Sequence, residues 1–260
     1  MGLDIYAGTI TRYYSRDWKT VVQQWAEANG YKFHIINPQT NEDLEPQPDA
    51  SQDEIHEGVV AWQNDLINAL NTSLEKSFIP WSENAYIPYY TNKPDWDAFG
   101  ALLLVAACCS YHESIPETVE KDWDFWENPI IMRLASDEDK VWSLFRGADW
   151  WLPLTGSFCF TTTLPNDQQT LVGTLDGLEK ELAKINEMAW QADEPTIISW
   201  AQTQGYPVED KLAQDGSFSK MDLEPDTTYN TQSLAKFAYS ILYQALKFAQ
   251  KHQVPITLDY

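Results

Sequence analysis

The feature that most constrains the fold is a set of long segments in which apolar residues recur every three or four positions. The clearest follows Ser51-Gln52-Asp53-Glu54, where Ser51 and Glu54 match a capping box that satisfies open backbone donors at a helix start. Behind this start the apolar stripe consists of Ile55, Val59, Trp62, Leu66 and Leu70. The spacing predicts a helix that runs to about Asn71.

Similar reasoning predicts further helices along the chain. Asp95 opens the most apolar one, which contains an eleven-residue apolar run. That run is about half the length that a membrane span needs, so it indicates a buried helix. The remaining predicted helices are one after Ser15 that stops at Asn29; 116–126, ended by Pro129; 132–145; one from about Thr170 to Ile185; 196–203; and 234–248.

Segments rich in Ile, Thr and aromatic residues predict strands at 3–14, 156–163 and 255–258. Residues 147–153 are predicted to form a turn. Together these elements predict an α+β protein that is helix-rich, with a small mixed or antiparallel sheet flanked by about six or seven helices. We expect 1–260 to form a single domain, or two closely packed lobes with a boundary near 153–166.

The charge balance narrows the kind of partner. The chain has 39 acidic and 17 basic residues, a net charge of −22. Such a surface repels nucleic acids and anionic membranes and favours a basic protein. From Phe33 to Glu75 there are nine acids and no Lys or Arg. The predicted partner-binding residues are Glu42, Asp43, Glu45, Asp49, Asp53, Glu54 and Glu57, with Tyr86, Tyr89 and Tyr90 as aromatic anchors.

The cysteines and the first residues indicate a compartment. Three cysteines, two of them adjacent, do not form a disulfide framework. The amino-terminal residues have no basic region ahead of an apolar one, so no secretory signal is predicted. We therefore expect a cytoplasmic protein.

The dipeptide Asp-Trp occurs four times, at 17–18, 95–96, 122–123 and 149–150. One interpretation is structural, because an acid suits a first helical turn while the indole folds inward. The alternative is a carbohydrate-binding or glycoside-hydrolysing protein, since sugars stack on indoles and glycosidases use paired carboxylates. Its candidate residues are Asp122, Trp123, Asp124, Trp126, Asp149, Trp150 and Trp151.

No sequence motif supports catalysis. Cys108 and His112 are four residues apart and share a helix face, but a thiol at the end of an apolar run is expected to be buried and inert. No phosphate-binding loop, hydrolase elbow or zinc signature is present, and we predict neither metal nor cofactor. The composition favours a non-catalytic acidic protein, such as an inhibitor or an immunity protein against a bacterial nuclease toxin. The competing interpretation is that the acidity serves only solvation.

Overall fold

The computed structural model describes residues 2–31, 35–36, 43–44, 50–207 and 228–260. Within them the α-helices are α1 Ile10–Tyr14, α2 Val21–Ala28, α3 Gln52–Leu74, α4 Trp96–Tyr111, α5 Pro129–Ala135, α6 Leu175–Ala189, α7 Glu194–Thr203 and α8 Thr231–His252. The strands are β1 Asp4–Ala7, β2 Ile35–Ile36, β3 Asp43–Leu44, β4 Tyr90–Asn92, β5 Thr118–Glu120, β6 Trp150–Leu152, β7 Phe160–Thr163, β8 Gln169–Thr174, β9 Thr228–Asn230 and β10 Ile256–Asp259. Short 3-10 helices lie at Phe125–Glu127 and Leu144–Arg146. The predicted α+β class is confirmed.

The largest sheet has six strands in the order β4-β1-β10-β6-β8-β7. Its pairs are antiparallel except β6 with β8, which makes the sheet mixed, as predicted. The predicted strands near the N-terminus, around Phe160 and at the C-terminus all belong to this sheet. Two-stranded ladders join β2 to β3 and β5 to β9.

A three-residue turn joins β7 to β8. Asp167 N–H donates to the Leu164 carbonyl at 3.0 Å, and Leu164 N–H donates to the Gln168 carbonyl at 2.8 Å. Pro165 suits the second position of a type I turn, and Asp167 closes the turn with a φ of 65°. A type I turn followed by a left-handed residue is a common three-residue hairpin, in which Asn, Asp or Gly tolerates the positive φ.

The chain divides into two compact units. The first comprises Met1–Lys93, Arg146–Glu181 and Gln244–Tyr260 and contains the six-stranded sheet. The second comprises Pro94–Phe145 and Leu182–Tyr243 and contains the β5–β9 ladder. The chain passes between the units four times, after Lys93, after Phe145, within α6 and within α8. The expectation of one domain, or of two lobes divided near 153–166, stays a prediction.

In the first unit α3 contributes to the core beside the sheet. Val59, Leu66 and Leu70 of the predicted stripe belong to one buried cluster with residues of β6 and β8. Ile67, which the stripe did not include, is also buried there, and Ile55 and Trp62 pack against the cluster partly buried. Each fully buried side chain of this size contributes about 1.5–3 kcal/mol to folding. The predicted capping box is confirmed, and the helix extends three residues beyond the predicted end, to Leu74.

In the second unit every residue of α4 from Asp97 to Cys108 is buried, as the apolar run predicts. The ring of Phe125 packs where a side chain at Gly100 would stand, since a Cβ there would lie 2.6 Å from the ring. No α-helix of the described ranges is long and apolar enough to cross a lipid bilayer.

The Asp-Trp pairs supply indoles to two aromatic clusters. Trp18 and Trp150 both contact the ring of Tyr13, at 5.9 and 5.1 Å between centroids. Trp96 and Trp123 both contact the ring of Phe125, each at 6.1 Å. Each indole therefore has a packing role.

Two secondary-structure predictions that were based on prolines, a helix that starts at Pro116 and a helix end at Pro129, are wrong. Residues 118–120 form β5 rather than a helix, because they pair with β9. Pro129 does not end a helix but opens α5, where its missing N–H costs nothing and Asn128 caps the start. The helix predicted over 132–145 stops at Ala135.

Three further boundaries differ from the predictions, two because strand pairing overrides the local pattern and one because a local cap starts a helix. Residues 150–152 form the buried strand β6 rather than a turn, since this strand has neighbours on both sides. Residues 169–174 form β8, and the helix begins only at Leu175. The first strand ends at Ala7, and Thr9 then caps the short helix α1.

Candidate functional site

A groove of about 530 Å³ lies in the first unit, between α3 and the β7–β8 turn. One wall is a face of α3 that supplies Glu54, Ile55, Gly58, Val59, Trp62 and Asp65. The other wall is the turn, with Leu164, Pro165 and Asp167, and the groove also borders Tyr14 of α1. Pockets of about 300–1,000 Å³ are typical of ligand sites, so this groove is large enough to bind a partner group.

The capping box fixes Glu54 at the start of the helical wall. Ser51 N–H and the Ser51 hydroxyl both donate to Glu54 Oε2, at 2.9 and 2.8 Å, and Glu54 N–H donates to the serine oxygen at 3.3 Å. These hydrogen bonds from Ser51 lower the pKa of the Glu54 carboxyl. Glu54 is therefore a fixed anion at neutral pH.

Trp62 holds the two walls together. Its Nε1 donates a 2.6 Å hydrogen bond to the Thr163 carbonyl, and its ring meets Trp81 edge to face at 6.1 Å. Gly58 lies one turn earlier on α3, and a Cβ placed on it would meet nothing within 4 Å. The absence of a side chain at Gly58 therefore leaves open space in the helical wall.

Aromatic packing positions Tyr14 beside the groove. Its ring stacks on Trp150 at 6.4 Å and meets Tyr13 edge to face at 5.3 Å. The Tyr14 hydroxyl is buried without a hydrogen-bond partner among the described residues, and burial raises its pKa. The phenol is therefore neutral over the physiological pH range.

The charged residues that line the groove are all acidic. Glu54 and Asp65 stand on the helical wall and Asp167 on the turn, and none of the described lining residues is Lys, Arg or His. Because the remaining lining is mostly apolar or aromatic, the groove combines negative charge with surface that can pack against hydrocarbon. This combination suits a cation carried on an apolar stem, such as a lysine or arginine side chain.

The structure places only part of the predicted acidic set. Glu42, Glu45 and Asp49 lie outside the described residues, and Asp43 is described only as backbone of β3. Asp53, Glu54 and Glu57 are all exposed in the first turns of α3, and of the three only Glu54 lines the groove.

The three predicted aromatic anchors differ in exposure. Tyr86 is 94% exposed. Tyr89 stacks on Tyr6 at 6.0 Å, with the Arg12 guanidinium 5.3 Å from its ring centre. Tyr90 packs against Phe248 at 6.0 Å, and burial raises its pKa to about 12. Tyr86 is thus the one of the three whose ring is largely free to meet a partner.

The residues predicted for the alternative carbohydrate site are divided between the two units. Asp122, Trp123, Asp124 and Trp126 belong to the second unit, where the Asp124 side chain accepts a 3.1 Å hydrogen bond from Trp126 N–H. Asp149, Trp150 and Trp151 belong to the first unit, where Trp150 and Trp151 are 5% and 0% exposed in β6. Trp126 is 39% exposed, so its indole presents far more surface than those of Trp150 and Trp151.

Sequence reasoning missed Asp65, Asp167, Gly58 and Tyr14 as members of one site. Asp65 falls within the base-free segment, and its position eleven residues after Glu54 places both on one helix face. The part played by Asp167 and Tyr14 depends on how the sheet packs on α3, which the sequence does not show.

Other candidate chemistry has little support. Burial raises the pKa of Cys108 to about 11, so it is a neutral thiol at physiological pH and a poor nucleophile. Among the described residues, no group of three or more His, Cys, Asp and Glu side chains is arranged to hold a metal ion.

Comparison with known proteins adds no functional assignment. No protein-family model matches the chain, and no curated protein or solved structure shows significant similarity to it. The residues of the groove are therefore the basis for a functional proposal.

Proposed function

We propose that the protein is a non-catalytic acidic binding protein that captures a basic protein, in the manner of an inhibitor or an immunity protein acting on a basic toxin or nuclease. One observation carries this proposal. The groove beside α3 combines the carboxylates of Glu54, Asp65 and Asp167 with an apolar and aromatic wall, and its described lining contains no base.

Charge acts first on the rate of encounter. A net charge of −22 creates a field that attracts basic proteins and repels acidic ones. At about 0.15 M salt the screening length is about 8 Å, so most of this attraction acts at short range. We therefore expect association to weaken strongly as salt rises.

Exposed charge pairs alone do not hold a complex together. Each such pair contributes about 0–1 kcal/mol, so tight binding requires buried apolar contact as well. Within the groove, Trp62, Ile55 and Leu164 offer that contact next to the carboxylates. The exposed ring of Tyr86 is a second anchor of the same kind.

The test is affinity capture from the native organism at low and high salt, with identification of the retained proteins by mass spectrometry. The variant Glu54→Gln/Asp65→Asn/Asp167→Asn removes three charges from the groove. Gln at position 54 retains the capping box, and Asn at position 167 tolerates the positive φ. We expect wild type to retain a basic protein at low salt and this variant to lose it.

The matched control is Glu117→Gln/Glu120→Gln/Glu138→Gln, which removes the same charge from three exposed acids elsewhere. The proposal requires this control to retain the basic protein as wild type does. Equal loss in both triple variants would show that net charge alone acts, and capture that ignores salt and both variants would contradict the proposal.

The alternative, a carbohydrate-binding or glycoside-hydrolysing protein, has one favourable observation: the Trp126 ring is partly exposed, and the backbone N–H of Trp126 donates to the Asp124 side chain. A ligand that binds only the native state raises the melting temperature. We would measure melting across a broad glycan panel with wild type and Trp126→Ala. A shift lost in the variant would support this alternative, and the absence of any shift would remove it.

A further inference from the structure

The groove face of α3 has a regular arrangement of charge. An α-helix turns 100° and rises about 1.5 Å per residue, so Glu54, Gly58 and Asp65 lie within about 40° of one another around the axis. The eleven residues from Glu54 to Asp65 span about 16 Å along that axis. The face therefore has a carboxylate at each end and a glycine between them.

This spacing exceeds what one cation can bridge. A hydrogen-bonded ion pair joins atoms about 2.7–2.9 Å apart, so a single ammonium or guanidinium contacts the carboxylate at one end only. Between the two ends, a Cβ at Gly58 would meet no atom within 4 Å. The open middle offers room for backbone or small side chains that connect two cations.

We propose that the groove binds an extended basic segment of a partner protein, with Lys or Arg at positions i and i+4. This inference rests on the proposed function and specifies its partner. In an extended chain, residues i and i+4 lie on one face about 13 Å apart, and long basic side chains cover the remaining distance.

A helical segment fits the same face less well. In a helix, residues i and i+4 lie only about 6 Å apart along the axis. Two basic residues with that spacing on a helical segment do not reach carboxylates that stand about 16 Å apart along α3. An extended segment is narrower and lies along the groove with its small residues over Gly58.

Trp62 favours arginine at the Asp65 end. Its indole lines the groove three residues before Asp65, which places it about one helical turn away on the same side of α3. A planar guanidinium stacks on an indole and donates in parallel to a carboxylate, whereas an ammonium is a compact point charge.

The direct test uses two blocked peptides of identical composition. Ac-Arg-Ser-Gly-Ser-Arg-amide has its arginines at i and i+4, and Ac-Ser-Arg-Arg-Gly-Ser-amide has them adjacent. Titration of the full-length protein, followed through the NMR signals of the tryptophan Nε1–H groups, gives both dissociation constants. We expect the spaced peptide to bind about three- to fivefold more tightly, because only it pairs with both carboxylates.

A blocking variant locates the binding. Gly58→Gln places a long side chain in the open middle, and Ser73→Gln places the same side chain at an exposed position near the end of α3. Gln is a better helix former than Gly, so Gly58→Gln should melt at or above the wild-type temperature. We expect the Gly58→Gln variant to lose binding to the spaced peptide. The Ser73→Gln variant should bind that peptide as tightly as wild type does.

Equal affinity for the two peptides, or unchanged binding to Gly58→Gln, would overturn the inference. Capture of a basic protein by wild type and Gly58→Gln alike would also overturn it and would leave the proposed function standing. Peptide binding as expected without capture of any basic protein would remove the proposed function and the partner protein with it, and would leave only the preference of the groove for spaced cations.

Discussion

The indole Nε1 of Trp62 donates a 2.6 Å hydrogen bond to the carbonyl oxygen of Thr163, a residue 101 positions later in the chain. Leu164 N–H bonds back to Gln168, so in the alternating antiparallel ladder the Thr163 carbonyl points away from β8. Among the described strands β7 is at the edge of the sheet. Trp62 thus satisfies an acceptor on an open sheet edge and ties α3 to the opposite wall of the groove.

Replacing Trp62 by Phe should lower the free energy of unfolding by about 1 kcal/mol or more, because an aromatic ring remains but the donor to Thr163 is lost. Urea denaturation followed by circular dichroism measures this difference. Trp25→Phe is the control, since Trp25 is 56% exposed and contacts Tyr31 only by stacking. The same loss in both variants would show that the Trp62 hydrogen bond contributes nothing particular.

Two glycines inside helices should respond to alanine in opposite directions. Gly58→Ala should stabilise the protein by up to about 1 kcal/mol, because Ala is the better helix former and its methyl group meets nothing. Gly100→Ala should destabilise it by about 1–3 kcal/mol, because the methyl group would overlap the Phe125 ring. Thermal unfolding of both variants checks this, and a shift in the same direction for both would contradict it.

The sequence predicted best the elements whose local signals agree with their tertiary setting. The capping box and apolar stripe of α3 identified its start and its buried face, and the apolar run of α4 identified a buried helix. The prediction failed at β6 and β8, where short apolar and threonine-rich segments carry no helical or alternating signature strong enough to decide. Their state depends on the parallel pairing between them, a contact with no local marker.

Part of the candidate site was also predictable, because one of its residues carries a local sequence signal. The base-free segment indicated an acidic surface at the start of α3, and Glu54 lies there. The contribution of Asp167 comes from a hairpin more than a hundred residues away in sequence. Only the packing of α3 beside β7 and β8 brings that carboxylate to the groove.

Adjacent tyrosines of α1 give a matched test of hydrogen bonding. Tyr13 donates a 2.6 Å hydrogen bond to Asp259, whereas the Tyr14 hydroxyl has no partner among the described residues. Tyr13→Phe should cost about 1.5–3 kcal/mol, as expected for a bond to a charged group. Tyr14→Phe should be neutral or stabilising, because it removes a buried hydroxyl that pairs with nothing described. Chemical denaturation of both variants measures the difference, and an equal loss would contradict it.

The carboxylate of Glu83 caps α1 from a distance in sequence. It accepts hydrogen bonds from Ile10 and Thr11 N–H, at 3.3 and 2.8 Å, and from the Trp81 indole at 2.8 Å. Both oxygens accept, so the NH₂ group of a glutamine would face a donor in either orientation. Glu83→Gln should therefore destabilise the protein by about 1–3 kcal/mol.

The pH dependence of this loss follows from the pKa of Glu83. Burial raises that pKa above the ordinary value of 4.5, and hydrogen bonds from Thr11, Trp81 and Ile10 offset the rise only in part. A raised folded-state pKa means that the native state binds the proton more tightly than the unfolded chain does. The contribution of Glu83 to stability is therefore fully present below the unfolded pKa and is lost as pH rises through the folded pKa. Urea denaturation of wild type and Glu83→Gln from about pH 4 to 8 should show a difference that grows towards acid.

Glu54 provides a control for that measurement, because its stability contribution should depend on pH in the opposite direction. Hydrogen bonds from Ser51 lower its pKa, so its contribution is present above the unfolded pKa and is lost as pH falls through the folded pKa. The difference between wild type and Glu54→Gln should therefore shrink towards acid, while that for Glu83→Gln grows. All other titrating groups are common to the three proteins and cancel in each difference. If both differences followed pH in the same direction, one of the two assigned pKa shifts would have the wrong sign.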